Sequence, residues 1–240
     1  MEKYFNIKFD FYKERLENTI ENKSKNGKGY CCFVDLNSLT HSYYDLEFRK
    51  ILNSALVNSC DGSYIARVAS KIYKKKLEEY IGPDFFEKFI FKNGTHVILG
   101  STQSVFNKII KRISKKKIIT DNIKYLNLPY CSVNKFDYKK ISEEINNLRP
   151  NYIWVSLGAP KQEYFMSNLY PYIDKGVLIG VGAALNYFSG ELKSIPYWVR
   201  KLNIIWVYRA IQEPTKTFPR IYKALTIFPK LIREERIRNK

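Results

Sequence analysis

Short apolar runs alternate along the chain with segments of helical periodicity, and this alternation limits the possible folds more than any other feature. The runs GYCCFVDL (29–36), NYIWVSLG (151–158) and GVLIGVGAAL (176–185) are apolar along almost their whole length. Such strands are buried on both faces, as parallel strands covered by helices are. The sequence therefore predicts an α/β fold with a mostly parallel sheet and helices on both faces.

The remaining segments continue the same alternation. Three further strands are predicted at 56–62, 95–101 and 117–122, and a polar loop is predicted around Asn37 and His41. Apolar spacing predicts helices over 45–55, 64–76, 83–92, 103–115 and 137–148. Residues 1–193 are therefore predicted to form one α/β core domain.

Polar residues and glycines that follow predicted strands are the candidate site residues, because ligands of open parallel sheets lie beyond the carboxyl ends of the strands. They are Asp35, Asn37, Asp61, Gly100, Ser101, Lys161, Gln162, Glu163, Gly180 and Gly182. Asp61 could act as a general base, Lys161 could meet a phosphate, Gln162 could bind a sugar or a base, and the two glycines of GVG could admit an anion to the backbone.

Each candidate also has a structural interpretation. Asp61-Gly62 is a common turn dipeptide. The segment APKQE (159–163) is also a helix start, in which Glu163 complements the helix dipole. Taken alone, Gly180 and Gly182 are better explained by tight packing than by an anion site. Position along the chain leaves both interpretations open.

The last fifth of the chain differs in composition from the rest. The protein has 41 Lys and Arg against 23 Asp and Glu, a net charge of +18, and residues 193–240 hold 12 of these basic residues with only three Glu. Aromatic residues are interleaved, and four prolines predict a series of short helices. Residues 194–240 are predicted to be a basic helical appendage. A solvated face, a nucleic-acid surface and a membrane interface are all compatible with it, but the mixture of Ile, Leu, Phe and Trp with Arg favours a membrane or a packed appendage.

Several classes of protein are disfavoured. Four cysteines without a CxxC pair and only two histidines argue against a zinc site and suit reduced, buried thiols of a cytosolic protein. The charged N-terminus does not resemble a signal peptide. The longest charge-free apolar run, 176–190, is shorter than the roughly 20 residues of a spanning helix.

Seven segments together carry a resemblance to a known family. They are VDLNSL (34–39), DG (61–62), IGPDFF (81–86), HVILGS (96–101), VSLGAPKQE (155–163), GVGAALNYFSGELKSIPYWVRKL (180–202) and WVYRAIQEPTKTFPRIY (206–222). In this order they resemble the WecG/TagA/CpsF family, glycosyltransferase family 26, over roughly residues 30–225. The two C-terminal segments are the specific ones.

The resemblance implies a Rossmann-like fold of the GT-E type and an inverting, metal-independent glycosyltransferase without a cofactor. The donor would be a UDP-sugar, N-acetylmannosamine-like or another hexose. The acceptor would be a polyprenyl-diphosphate-linked saccharide used for teichoic acid, capsule or another cell-surface polysaccharide. The enzyme would be cytoplasmic and peripherally bound to the inner, anionic face of the cell membrane. The donor, the pathway and the oligomeric state, a homo-oligomer included, stay open.

The family's residues transfer position by position. Its aspartate base falls on Asp61, and the Gln of its PKQE motif falls on Gln162. Substrate contacts are implied, besides Gln162, at Asp35, Asn37, Gly82, Asp84, Gly100, Lys161, Gly180, Gly182, Arg200, Arg209 and Arg220. The arginines would stabilise the charge of the leaving diphosphate.

The chain departs from the family pattern at several positions. Asp35 stands where a threonine is usual, Glu79 where an arginine often precedes Gly82, and Ser194, Ile205 and Lys216 replace Arg, Glu and Arg of the C-terminal segments. Two alternatives to an active enzyme stay open, one suggested by these departures and one by the net charge of +18. One is a catalytically lapsed family member that binds UDP-sugar as a scaffold in a polysaccharide-assembly complex. The other, a nucleic-acid-binding module, is disfavoured, and no nucleic-acid partner is expected.

Overall fold

The computed structural model of the protein describes residues 2–116, 120–193, 199 and 214–239. Its strands are β1 (Glu2–Tyr4), β2 (Ile7–Phe9), β3 (Lys28–Val34), β4 (Val57–Cys60), β5 (His96–Leu99), β6 (Ile123–Leu126), β7 (Tyr152–Val155) and β8 (Gly176–Gly180). Its α-helices are α1 (Lys13–Asn26), α2 (Leu36–Tyr44), α3 (Leu46–Ser54), α4 (Ser63–Tyr73), α5 (Gly82–Phe89), α6 (Gln103–Ser114), α7 (Tyr138–Leu148), α8 (Lys161–Leu169), α9 (Ala184–Ser189) and α10 (Pro214–Arg238).

Six strands form one parallel sheet in the order β4-β3-β8-β7-β5-β6. Side chains of each strand alternate between two apolar clusters. In β7, Tyr152 and Trp154 face the cluster of α1, α5, α6 and α9, whereas Ile153 and Val155 face the cluster of α3, α4, α7, α8 and α10. Helices therefore cover both faces, which explains the fully apolar strands and confirms the predicted Rossmann-like α/β fold class.

Several predicted boundaries are wrong. The region around Asn37 and His41 is the helix α2, not a polar loop, because Asp35 caps it. The run 176–185 is a strand only to Gly180, and residues from Ala184 begin α9. Residues 120–122 precede β6, which lies at 123–126; residues 117–119 of that predicted strand lie outside the described part of the chain.

Residues 2–26, over which no element was predicted, form a hairpin and the helix α1. Phe5 and Asn6 occupy the hairpin turn with positive φ angles of 52° and 67°, a type I′ geometry that asparagine tolerates and that usually carries a glycine. The chain beyond β2 runs along β4, where Asp10 N donates to Asn58 O at 2.9 Å. This segment covers the outer edge of β4 and leaves fewer unpaired backbone groups there.

The C-terminal segment contains one 25-residue helix, α10, rather than the predicted short helices. Pro219 and Pro229 lie inside it and are both exposed. Ile227, Phe228 and Leu231 point inward and are buried in the cluster that also contains Phe5. An exposed proline removes a backbone hydrogen bond but no core contact, so packing of the opposite face keeps the helix continuous.

Candidate functional site

The carboxyl ends of four neighbouring strands, β4, β3, β8 and β7, bring most of the predicted site residues to one edge of the sheet. Val34 pairs with Cys60, so Asp35 and Asp61 leave the sheet side by side, and Asp61 N donates to Val34 O at 3.0 Å. Gly180 pairs with both Cys32 and Val155. The turn after β8 therefore lies between the residues that follow β3 and those that follow β7.

Asp61, the predicted base, is half-buried beside the start of α5. Its Oδ2 accepts a hydrogen bond from Gly82 N at 3.3 Å. Gly82 itself is buried against the turn after β8, because an added Cβ would lie 3.3 Å from Val181 O. The base candidate and the glycine turn are thus linked through the first residue of α5.

Asp35 is the N-cap of α2, and its Oδ1 accepts bonds from Ser38 N and Ser38 Oγ, both at 2.7 Å. The cap orients the carboxylate and satisfies one of the free N–H groups at the helix start. Asn37 lies in the first turn of α2 and is half-buried. Both residues flank the edge where Asp61 lies.

Gln162 is buried, with 3% of its surface exposed. Its Oε1 accepts from Gly182 N at 3.1 Å, and its Nε2 donates to Glu163 Oε1 at 2.8 Å and to Gly180 O at 3.4 Å. Ser156 Oγ donates to Gly182 O at 2.6 Å. In this structure Gln162 therefore holds the glycine turn from beneath.

The two glycines of the turn differ in what requires them. A Cβ on Gly180 would lie 2.7 Å from Met166 Cε, so close packing explains that glycine. Gly182 has a φ of +52° and is half-exposed. Gly182 is therefore the member of the pair whose left-handed backbone conformation favours glycine and which is partly exposed at the turn.

Glu163 is 1% exposed, and burial raises the pKa of its carboxyl to about 7, with a smaller rise from the charge of Asp35, against the lowering effect of the Gln162 hydrogen bond. Its Oε2 has no hydrogen-bond partner among the described residues. A buried acid whose pKa is shifted toward neutrality, beyond the carboxyl end of a strand, is typical of functional sites.

The other predicted contacts lie around this centre. Lys161 Nζ donates to Cys131 O at 2.5 Å and lies over the rings of Tyr130 and Phe136, so it points toward the loop after β6. Gly100 follows β5, one strand further along the edge. Asp84 is in the first turn of α5 and exposed.

A cleft of about 380 Å³ opens between α5, α6 and α9. Its lining residues include Pro83, Asp84, Glu87, Arg112, Ala184, Tyr187, Phe188, Gly190, Leu192 and Lys193. Arg112 spans it by donating to Phe188 O at 2.8 Å and to Glu87 at 3.1 Å. The cleft is polar and adjoins the start of α5, and so the neighbourhood of Asp61.

The three predicted arginines belong to the C-terminal segment of the chain. Arg200 and Arg209 lie outside the described residues. Arg220 lies within α10. Among the residues that are described, no group of three or more His, Cys, Asp or Glu is arranged to hold a metal ion. In the same part of the chain, no helix combines the length and apolarity needed to cross a bilayer.

The model of one protein family, described as the glycosyl transferase WecG/TagA/CpsF family, matches residues 3–240. The chain belongs to this family. It is 28% identical over 175 residues to an N-acetylglucosaminyldiphosphoundecaprenol N-acetyl-β-D-mannosaminyltransferase of Bacillus subtilis (strain 168), and 25% identical over 181 residues to a protein of the same name from Staphylococcus aureus (strain MW2). The alignments cover 71% and 72% of this chain and 66% of each relative, slightly less than two thirds of their length.

Within this WecG/TagA/CpsF member, the departure at Glu79 falls close to the base candidate. Tyr80 N donates to Cys60 O at 2.9 Å, so the segment that follows Glu79 runs beside the end of β4. The charges of Asp61 and Glu79 both act on the Cys60 thiol. Glu79 therefore places a second acidic residue near Asp61.

Two residues of the site were underestimated from the sequence. Ser156 follows β7 directly in the structure, but it lies inside the predicted strand 151–158 and so was not among the residues predicted to follow a strand. Glu163 was named, with a helix-dipole role as an equal alternative. Its position next to Gln162 in PKQE was the available signal; its complete burial was not visible in the sequence.

Proposed function

We propose that the protein transfers a hexose-type sugar, N-acetylmannosamine-like or another, from a UDP-sugar to an undecaprenyl-diphosphate-linked saccharide, with inversion at the anomeric carbon. The observation that carries this proposal is the convergence of the family's motif residues at one sheet edge. Asp61, Asp35, Gln162 and Gly182 follow four strands that are neighbours in space but far apart in sequence.

Asp61 is the proposed general base. It would take the proton from the acceptor hydroxyl as that oxygen bonds to the anomeric carbon, while UDP leaves from the opposite face. The bond from Gly82 N orients the carboxylate. Asp35 and Asn37 flank it and are proposed to contact the sugar.

The UDP diphosphate is proposed to lie at the Gly180–Gly182 turn. Helices α2, α5 and α8 begin at this same edge, and the positive ends of helix dipoles favour an anion there. The proposed reaction needs no metal, so cationic side chains would neutralise the leaving group. Arg200, Arg209 and Arg220 are the proposed cations.

The acceptor is a membrane lipid, so we propose that the protein works on the inner face of the cell membrane. Exposed residues of α10 include Tyr222, Leu225, Lys230, Arg233 and Arg236. Such a mixture of apolar and basic residues suits anionic headgroups. The polar cleft that contains Asp84 and adjoins α5 is the proposed entry for the acceptor saccharide.

The deciding experiment is a transfer assay with a panel of UDP-hexoses and UDP-N-acetylhexosamines, using a soluble polyprenyl-diphosphate-GlcNAc analogue as acceptor. We expect one donor to be turned over with release of UDP and formation of a disaccharide lipid. If no donor supports transfer although UDP binds, the proposed catalytic role is wrong.

That negative outcome would support the second candidate, a UDP-sugar-binding scaffold in a polysaccharide-assembly complex. The observation that favours it is Glu79, which places a second acidic residue near Asp61. Glu79→Arg separates the candidates, since a gain of transfer in this variant shows that the remaining machinery is intact.

A further inference from the structure

A chain of three hydrogen bonds runs beneath the glycine turn. Glu163 Oε1 accepts from Gln162 Nε2 at 2.8 Å, and Gln162 Oε1 accepts from Gly182 N at 3.1 Å. On the other side, Ser156 Oγ donates to Gly182 O at 2.6 Å. Both backbone groups of Gly182 are therefore held by side chains of the β7–α8 segment.

Glu163 determines how the amide group of Gln162 is oriented in this chain of hydrogen bonds. A glutamine amide has an oxygen and a nitrogen of almost the same shape, and only its partners decide which end points where. Glu163 Oε1, which accepts here, attracts the Gln162 NH₂ group, and Gly180 O at 3.4 Å supports the same orientation. The amide oxygen is thereby left for Gly182 N.

We propose that Glu163 is a positioning residue for the donor diphosphate, which acts through Gln162 on the shape of the Gly180–Gly182 turn, and that ionisation of its second oxygen weakens donor binding. This inference rests on the proposed function. The inference goes beyond the proposed function because it assigns a role to Glu163, an acid that does not contact the substrate.

The charge argument depends on which oxygen of Glu163 carries the proton. Oε1 accepts the bond from Gln162, so the proton of the neutral acid sits on Oε2, which has no partner among the described residues. Titratable groups that act on Glu163 from neighbouring elements are the Asp35 carboxyl and the Cys32 thiol. Burial and the charge of Asp35 raise the Glu163 pKa to about 7.

Loss of that proton changes the electrostatics of the turn. Below the Glu163 pKa, the neutral acid and the N-terminus of α8 face the turn without added negative charge. Above it, Glu163 and Asp35 are two buried or half-buried carboxylates beneath a site for a dianion, and like charges in a low dielectric repel strongly. Donor affinity should therefore fall as the pH rises through 7.

The test compares Glu163→Gln with Glu163→Leu in the full chain. Glutamine keeps an oxygen for Gln162 and cannot ionise, whereas leucine fills the space and removes the acceptor. Calorimetric titration with UDP at pH 6.0 and 8.5 measures affinity. Glu163→Gln is the reference for the titration of UDP itself, because its side chain at position 163 does not ionise.

Between pH 6.0 and pH 8.5, we expect the UDP affinity of the wild type to fall about tenfold more than that of Glu163→Gln. At pH 6.0, Glu163→Leu should bind UDP about tenfold more weakly than Glu163→Gln, the effect of one lost hydrogen bond. Equal affinities of both variants at pH 6.0, or an unchanged pH dependence in Glu163→Gln, would overturn the inference.

A measurement without ligand separates this inference from the proposed function. Amide hydrogen exchange at Gly182 should be faster in Glu163→Leu and unchanged in Glu163→Gln. If the wild type does not bind UDP, the proposed function fails, and the positioning role is decided by this exchange alone. Identical exchange in all three proteins would remove the positioning role even if UDP binds.

Discussion

His96 is buried on the side of the sheet opposite α10 and is held neutral by its two partners. Trp154 Nε1 can only donate, and it bonds to His96 Nδ1 at 3.1 Å; His96 Nε2 lies 2.9 Å from Lys92 O, which can only accept. The proton therefore sits on Nε2. Burial lowers the His96 pKa from 6.5 to about 4, opposed by the bond to Lys92.

Stability should fall in acid because of His96. Its folded pKa lies below the unfolded value, so only the unfolded chain gains a proton between pH 6.5 and 4. The loss should approach ~3 kcal/mol across that window. Urea unfolding at pH 7, 5.5 and 4.5 measures it, and His96→Gln should show a shallower decline; an equal decline in both proteins would contradict this role.

Glu163 should change stability in the opposite direction to His96, with the loss occurring as the pH rises. Its folded pKa is raised from 4.5 to about 7, so its contribution to stability is complete below pH 4.5 and is lost as the pH rises through 7. Glu163→Gln should therefore be more stable than the wild type at pH 8, by at most ~3 kcal/mol. Urea unfolding at pH 8 is the measurement, and a destabilised Glu163→Gln would argue against a buried, costly carboxylate.

Asp61→Asn tests the base directly. The amide keeps the size of the side chain but cannot take a proton, so we expect transfer to fall by about 10³-fold, while UDP affinity changes less than about twofold. Asp174→Asn is the matched control, because Asp174 precedes β8 at the opposite edge and is exposed. Full turnover by Asp61→Asn would show that another group is the base.

At the scale of elements, α10 joins the two ends of the chain. The ring of Phe228 lies 5.6 Å from that of Phe5 and 5.3 Å from that of Tyr64. The buried Glu235 accepts from Tyr73 OH at 2.6 Å and pairs with Arg238 at 3.0 Å. The end of this helix is thus part of the main core, whereas the predicted domain boundary at 194 stays a prediction.

The packing of α10 can be tested with two variants on the same helix. Phe228 is 2% exposed, so Phe228→Ala should lower the free energy of unfolding by about 3 kcal/mol. Tyr222 is 71% exposed, so Tyr222→Ala should change it by less than about 0.5 kcal/mol. Urea unfolding of both variants provides the comparison, and equal effects would show that α10 does not pack as described.

The boundaries of the strands and helices show where the local sequence was sufficient to predict an element. Strands β3, β5 and β7 and helices α6 and α7 were predicted within a few residues, because their periodicity directly reflects burial. Helix α10 was predicted as fragments, since an interior proline opposes a helix unless tertiary contacts compensate. Those contacts come from Phe5 and α4, more than 150 residues away.

For the molecule as a whole, the net charge of +18 favours binding to an anionic membrane, and the fold determines which basic residues would contact it. If the basic face of α10 contacts the membrane, reversing its charge should release the protein. We expect the triple variant Lys223→Glu, Lys230→Glu and Arg233→Glu to lose most binding to vesicles containing phosphatidylglycerol, by about 1 kcal/mol per removed basic residue. Vesicle sedimentation measures the bound fraction.

The control variant has the same change in net charge on other helices, Lys111→Glu, Lys139→Glu and Lys140→Glu, which are all exposed. It should keep clearly more vesicle binding than the α10 variant. Equal loss in both would show that net charge, not α10, determines association. Charge reversal is a cleaner test than truncation near Ser194, because truncation also removes the buried Phe228 and Leu231.

By itself, the sequence determined the α/β class, the parallel sheet and the membership suggested by its ordered motifs, since apolar periodicity and short motifs are local properties. It also indicated the edge at which Asp61, Asp35 and Gln162 lie, because parallel strands end on one side. Only the tertiary structure decided that Gln162 and Glu163 are buried beneath the Gly182 turn, that Lys161 points to the loop after β6, and that α10 is continuous. These features depend on contacts between residues distant in sequence, and on the desolvation that those contacts impose.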